Sequence, residues 1–426
     1  MAAAAAAAAA NQDKFSTILG GGTYGIVMYP ALMDVAEDRT TPIKHPFMAT
    51  KLFFTKADYD DAFAQYNALR AKIPHIMYKM IPYTRIFTTN EFLKNAQFMK
   101  IYKENFFGDK ELSKMGYYLY AAAIPYLGSD LHRVATDPSR IARFLRIPEK
   151  EIVREIYNLF YKVKEIRDAG LMHSDIKIDN IVFNFGTKKF NLIDTDSITT
   201  WDKFLADSGS KIGTYYPPEF YIVKAEPEAL ERAYRGGDRL IVIRNLEGYT
   251  SGYYGMLTAD DDMFKNLPVH LKSELGRGWI GPRLAEELYR IKQDDARIGV
   301  KTVAAKFDMI EKICKDGFDS YCLSLALFEF FNHIRRVAPS KNYEYLTNTI
   351  LAGGISRYFY SKRSNLDTIL LELKQYIQSE YGLRVYPLLK RSKSRSASRS
   401  GSGSGSGKTR RSKSRSPSLP KYPSKG

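Results

Sequence analysis

The sequence predicts an α+β fold in two lobes, a small β-rich one followed by a larger helical one. Three observations carry that prediction. Residues 15–54 alternate apolar and polar side chains between glycines, the period of half-buried strands. Ile152, Ile156, Leu159, Phe160, Val163 and Ile166 form a stripe at helical spacing through 148–169, closed by Gly170. Residues 319–331 are almost wholly apolar, as a buried helix requires.

Taken in order, residues 1–12 are a poly-alanine, low-complexity leader. It lacks the basic start of a signal peptide. The β-rich lobe spans 13–127. After its first strands, Ala62, Phe63, Tyr66, Leu69 and Ile73 place a helix over 58–73, and an alanine- and aromatic-rich strand follows at 117–126. The helical lobe spans 128–388. It carries the 148–169 helix, short strands at 181–183 and 190–193, the buried helix, and an amphipathic helix at 366–379. Residues 389–426 are mainly Ser, Arg, Lys, Gly and Pro, with one aromatic, Tyr422. Such a segment cannot offset its ordering entropy and is expected to be disordered.

The 426 residues carry 64 Lys and Arg against 47 Asp and Glu, a net charge of +17. From Lys390 onward the tail holds 12 of those cations and no acid, which leaves 52 against 47 elsewhere. The excess therefore belongs mainly to the tail, which could hold nucleic acid or another polyanion and lose that affinity on phosphorylation. The 408–413 stretch KTRRSK is a basic patch of the nuclear-import or nucleic-acid kind. Two cysteines, Cys314 and Cys322, exclude a disulfide framework and suit a reducing compartment, cytoplasm or nucleus. No apolar run reaches the length of a membrane span.

Three motifs bear chemistry. Leu19-Gly20-Gly21-Gly22-Thr23-Tyr24-Gly25-Ile26-Val27 contains G-x-G-x-x-G, a turn whose backbone can approach phosphates closely. Gly-rich turns are common, so the motif alone is weak. Met48-Ala49-Thr50-Lys51-Leu52 is an apolar strand with one lysine. In isolation that is a surface lysine on an edge strand. After a Gly-rich hairpin it suits the α and β phosphates of a nucleotide. His173-Ser174-Asp175-Ile176-Lys177-Ile178-Asp179-Asn180, followed by Ile193-Asp194-Thr195-Asp196, supplies the groups that phosphoryl transfer needs. These are a carboxylate near the attacking hydroxyl, a carboxylate and an amide oxygen for Mg²⁺, and a cation for the transferred group.

In this order the motifs resemble those of the eukaryotic protein kinases. Tyr215-Tyr216-Pro217-Pro218-Glu219 is similar to the segment that closes the family's activation loop. Residues 319–329 are similar to the buried helix whose leading aspartate, here Asp319, holds the catalytic loop. Arg363 resembles the late arginine that pairs with the glutamate at 219. Tyr126-Leu127-Gly128-Ser129-Asp130 and the 173–177 stretch look most like the casein kinase and vaccinia-related kinase group, and kinases of large DNA viruses are often similarly divergent. The resemblance implies a serine/threonine kinase that uses ATP and Mg²⁺ on protein substrates. Gly20, Gly22, Gly25 and Val27 would cover the nucleotide, and Lys51 would contact its phosphates. Pro125, Leu127 and Asp130 would line the adenosine site, with Leu127 supplying an N–H. Asp175 would steer the substrate hydroxyl, Lys177 would stabilise the phosphoryl group, and Asn180 and Asp194 would bind magnesium. A viral origin would add the virion as a location.

The sequence also departs from the family. Ser174 stands where most members carry the arginine that grips an activation-loop phosphate, which implies activity independent of that phosphate. Thr195 and Asp196 replace the usual Phe-Gly. Gln65 aligns with the glutamate that pairs with the strand lysine, with Asp60 and Asp61 as alternative partners. Residues 221–317, which include Asp260, Asp261, Asp262 and Trp279, exceed what the family needs and read as an insertion. Two other functions stand beside the kinase expectation: a catalytically silent scaffold of kinase shape, and a nucleic-acid-binding protein acting through its tail. A small-molecule phosphotransferase is disfavoured by Lys177 and the 217–219 segment.

Overall fold

A computed structural model of the chain describes residues 17–22, 25–29, 31, 34–35, 42–43, 47–53, 55–83, 120–207, 215–217, 220, 223, 303–338, 343–355 and 363–385. The chain divides into a compact unit, Met1–Val385, and a second, Tyr386–Gly426. The sheet-rich and helical parts both belong to the first. The leader, the acidic triplet, Trp279 and the basic tail lie outside the described residues, as does the second unit.

The first unit is α+β. Its main sheet has the order β1-β2-β5-β7-β6, every pairing antiparallel: β1 Thr17–Gly22, β2 Gly25–Tyr29, β5 Met48–Phe53, β7 Tyr120–Pro125 and β6 Ile81–Pro82. The short β3 Asp34–Val35 and β4 Pro42–Ile43 form a separate ribbon. Register places Val27 opposite Lys51 and Lys51 opposite Ala122. Those three side chains therefore share one face with Ala49 and Ile124. Ile26, Met28, Thr50 and Leu52 fill the opposite, buried face.

Helix α1, Lys56–Lys72, starts at Thr55, whose hydroxyl accepts the Asp58 N–H. It buries Ala62, Tyr66 and Leu69, with Ile73 just beyond its end. Phe53, Tyr59, Phe63 and Tyr120 pack where it meets the sheet.

The helical part is organised by α4, Glu149–Asp168, which buries the whole predicted stripe and ends before Gly170 at φ 73°. Helix α7, Leu366–Tyr381, lies along it, with Arg167 3.0 Å from Asp367. Two short helices precede α4: α2, Leu131–Thr136, and α3, Pro138–Leu145. Both are capped by aspartates, Asp130 and Asp137. Strands β9, Ile181–Asn184, and β10, Lys189–Leu192, pair antiparallel, and β8, Ser129–Asp130, joins β9. The predicted buried helix is the middle of a longer one, α6, Val303–Val337. It begins inside the stretch expected as an insertion. Beside it lie a π-helical turn, Leu346–Leu351, and a short turn, Ala352–Gly354. Phe144 contacts Phe183 and Phe330 edge-on at 5.2 Å. Trp201 and Phe204 of helix α5, Trp201–Asp207, pack with Phe220 and Phe318. Apolar burial of this extent dominates the stability of such a core.

Candidate functional site

The glycine hairpin closes the outer end of the sheet. Gly22 faces Gly25 in register, while the tip residues Thr23 and Tyr24 lie outside the described set. Gly25 has a packing reason of its own: a Cβ there would sit 2.0 Å from the Leu52 carbonyl oxygen. Gly20 lies in β1 opposite Val27.

At the end of β7 the chain turns toward the helical part. The Tyr126 N–H donates to the Phe47 carbonyl at 3.1 Å, and the Tyr126 ring stacks on Tyr29. Pro125 pairs with Met48. The Leu127 N–H has no acceptor among the described residues, whereas its carbonyl accepts from Asn191 at 3.5 Å. Gly128 takes φ 126° with its backbone pressed against Phe183. Asp130 has a structural task. Its carboxylate caps α2 through the Arg133 N–H at 2.7 Å and pairs with the Arg133 guanidinium. Arg133 in turn donates to the Leu19 carbonyl of β1.

Below the sheet, Leu171–Asn180 forms a loop held from behind. The buried Asp319 accepts from the His173 N–H at 2.6 Å and the Ser174 N–H at 3.2 Å, the contact the resemblance implied. Burial pushes its carboxyl up, while His173 and the two amides pull it back. The His173 ring is buried, with Nε2 2.9 Å from the Ile193 carbonyl and Nδ1 3.2 Å from the Ser197 hydroxyl.

Within this loop Asp175, Lys177 and Asn180 converge. Lys177 Nζ lies 2.8 Å from Asp175 Oδ2. Asn180 Nδ2 donates at 2.8 Å both to that oxygen and to the Asp175 carbonyl. The Asn180 carbonyl accepts the Ile193 N–H at 2.9 Å, tying this loop to the start of the Asp194 turn.

Asp194 adopts a left-handed conformation, φ 59° and ψ 46°, and leads a 3₁₀ turn, Thr195–Ser197. Its surface is open to solvent, yet dense protein around it raises its carboxyl above the usual range. Lys51 and His173 oppose that shift, and Asp196 and Asp175 reinforce it. The backbone tie from Asn180 to Ile193 and the pairing of Lys51 with Asp196 bring Lys51 and the Asp175 loop to the Asp194 turn.

Lys51 is ion-paired with Asp196. The expected partners on α1 do not reach it. Gln65 instead donates to the backbone carbonyls of Asp196, at 2.5 Å, and Ile198, at 3.2 Å. Asp60 pairs with Lys56 at the surface, and Asp61 is exposed. Asp196, a departure from the resembled family's pattern, is thus the partner of Lys51; its charge, two residues after Asp194, is the signal the sequence carries for it.

The remaining motif residues are partly described. Tyr215 donates to Glu329, and its carbonyl accepts from Cys322 at 3.1 Å. Tyr216 packs on Phe204, Phe220 and Phe318. Pro218 and Glu219 lie outside the described residues, and Arg363 stacks over the Tyr321 ring at 4.7 Å. Among the described residues no three His, Cys, Asp or Glu side chains cluster as a metal cage, and no helix is long and apolar enough to cross a membrane. The chain matches no protein-family model and no curated protein.

Proposed function

We propose that the chain is a serine/threonine protein kinase of two-lobed form, transferring the γ-phosphoryl group of Mg-ATP to a protein hydroxyl. One observation carries the reading: three chain segments bring together Lys51, the loop group Asp175, Lys177 and Asn180, and Asp194, joined by the Asn180–Ile193 backbone hydrogen bond and the Lys51–Asp196 pair. These are the types phosphoryl transfer needs, and little covalent chemistry is asked of the protein beyond positioning and charge.

The roles follow from chemistry. The adenine ring would lie on the flat face made by Val27, Ala49 and Ala122, with the Leu127 N–H as donor. Lys51 would meet the α and β phosphates. Asp175 is oriented by Lys177 and Asn180 and would accept the hydroxyl proton. Lys177, released from Asp175 toward the phosphoryl group, would offset its negative charge. Mg²⁺ supplies charge neutralisation of the phosphate oxygens when bound. Asp194 and the Asn180 side-chain oxygen fit it, since magnesium is commonly held by one or two protein oxygens, phosphates and water.

The test is transfer of labelled phosphate from Mg-ATP to a protein substrate panel, with mapping of the modified residues. Wild type should label serine and threonine. Asp175→Ala should lose about 10³-fold or more in rate. Equal labelling by both ends the reading.

A catalytically silent scaffold is the second reading, favoured by the absence of a helix carboxylate on Lys51. Mg-ATP binding without turnover would establish it. Polyanion binding by the tail rests on composition alone, and truncation after Leu389 tests it: binding should vanish with the tail.

A further inference from the structure

We infer that Asp196 is the positioning carboxylate of Lys51, and that Gln65 is the clamp that aims it. This rests on the kinase reading and specifies how its nucleotide site is assembled.

Two positions depart from the resembled family in compensating ways. Helix α1 lacks a carboxylate directed at Lys51, and the turn after Asp194 has gained one. The Lys51–Asp196 pair joins β5 to that turn across 145 positions of sequence. Lys51 and Asp196 side chains are only 17% and 33% exposed. The pair is thus shielded more than a surface pair, so its Coulomb attraction is less diluted by water.

The turn that carries Asp196 is fixed on several sides. Gln65 donates to the carbonyls of Asp196 and Ile198. The Ser197 hydroxyl donates to the Asp194 carbonyl at 2.7 Å, and the Ser174 hydroxyl to the Ser197 carbonyl at 2.7 Å. Thr199 and Met172 exchange backbone hydrogen bonds at 2.9 Å. The Gln65 amide does this work with two N–H donors and no charge. A glutamate has no proton to give two carbonyls, and it would set a second negative charge beside Asp196. Gln65 and Asp196 are therefore two halves of one arrangement, in which the helix supplies donors and the turn supplies charge.

The alternative role for Asp196 is as a magnesium ligand acting without Lys51. The two are separated by a double-variant cycle. Rates and KM for ATP are measured for wild type, Asp196→Asn, Lys51→Met and the double variant, with thermal unfolding of each. Asp196→Asn should lower kcat/KM for ATP by about 30-fold or more. In the Lys51→Met background the same change should cost less than about threefold, because its target is gone. Equal losses in both backgrounds, or Asp196→Asn matching wild type, overturn the inference while leaving the kinase reading intact. Absence of transfer in wild type overturns the kinase reading and this inference with it. Should Asp196→Asn fail to fold, Gln65→Glu takes its place. It keeps Asp196 but removes the donors and crowds the charge, and should lower kcat/KM by about tenfold; wild-type behaviour there overturns the inference.

Discussion

Asp319 accepts the backbone N–H of His173 at 2.6 Å, although 146 positions separate them. A second amide, from Ser174, shares the carboxylate. The loop that carries Asp175 is thus fastened to the middle of the longest helix described.

Asp319→Ala leaves two buried amides without an acceptor, at about 1–3 kcal/mol each. The expected loss is about 2–5 kcal/mol in urea unfolding, together with slower transfer. Asp319→Asn keeps an oxygen for one amide but turns an NH₂ toward the other, so it should fall between wild type and Ala on both measures.

Gly128→Ala should be severe for a steric reason. The added Cβ would lie 2.3 Å from the Phe183 oxygen at a φ of +126°. We expect a loss of at least about 2 kcal/mol by thermal unfolding. Because Leu127 is adjacent, ATP affinity should fall with it.

Ser174→Ala removes the hydroxyl that donates to Ser197 and keeps an unfavourable φ of 63°. A loss of about 1 kcal/mol is expected. Phosphatase treatment of wild type, by contrast, should leave the transfer rate unchanged, because serine cannot grip an activation-loop phosphate as arginine does.

Lys162 gives a pH signature. Its ammonium touches Asn191 at 3.0 Å and the Phe190 carbonyl at 3.4 Å. Burial pushes it down to about 8, Glu155 and Glu165 pull upward, and Lys189 pulls down. The unfolded chain therefore binds more protons than the folded one between about pH 8 and 10.5, and stability rises with pH across that window. Below it the cost is fully present. Relative to Lys162→Met, wild type should gain about 1–3 kcal/mol in urea titrations between pH 7 and 10.5.

Elements with strong periodicity were legible in the sequence. The α4 stripe and the centre of α6 follow from spacing, because a buried face leaves a repeat in one dimension. The glycine hairpin and the cluster of Asp175, Lys177 and Asn180 were legible as spaced motifs. The partner of Lys51 was not, since pairing across 145 positions leaves no local trace. The resemblance implies a nucleotide contact for Asp130, but an aspartate before a short apolar run is also a helix cap, and here it caps α2. The start of α6 at Val303 was masked by Gly317, which sits in the helix with open space around its α-carbon. Asp137 before Pro138 is a local start signal for α3, a helix too short to leave a repeat.

The Lys51–Asp196 pair has a pharmacological consequence. The countercharge of Lys51 rides on the same turn as Asp194, not on a separate helix. An inhibitor that wedges α1 outward would remove only the Gln65 clamp and leave the pair standing. One that rotates the 194–197 turn would displace Asp194 and strip Lys51 of its partner in a single motion, so on the proposed kinase reading drug selectivity should be sought under the turn rather than behind the helix.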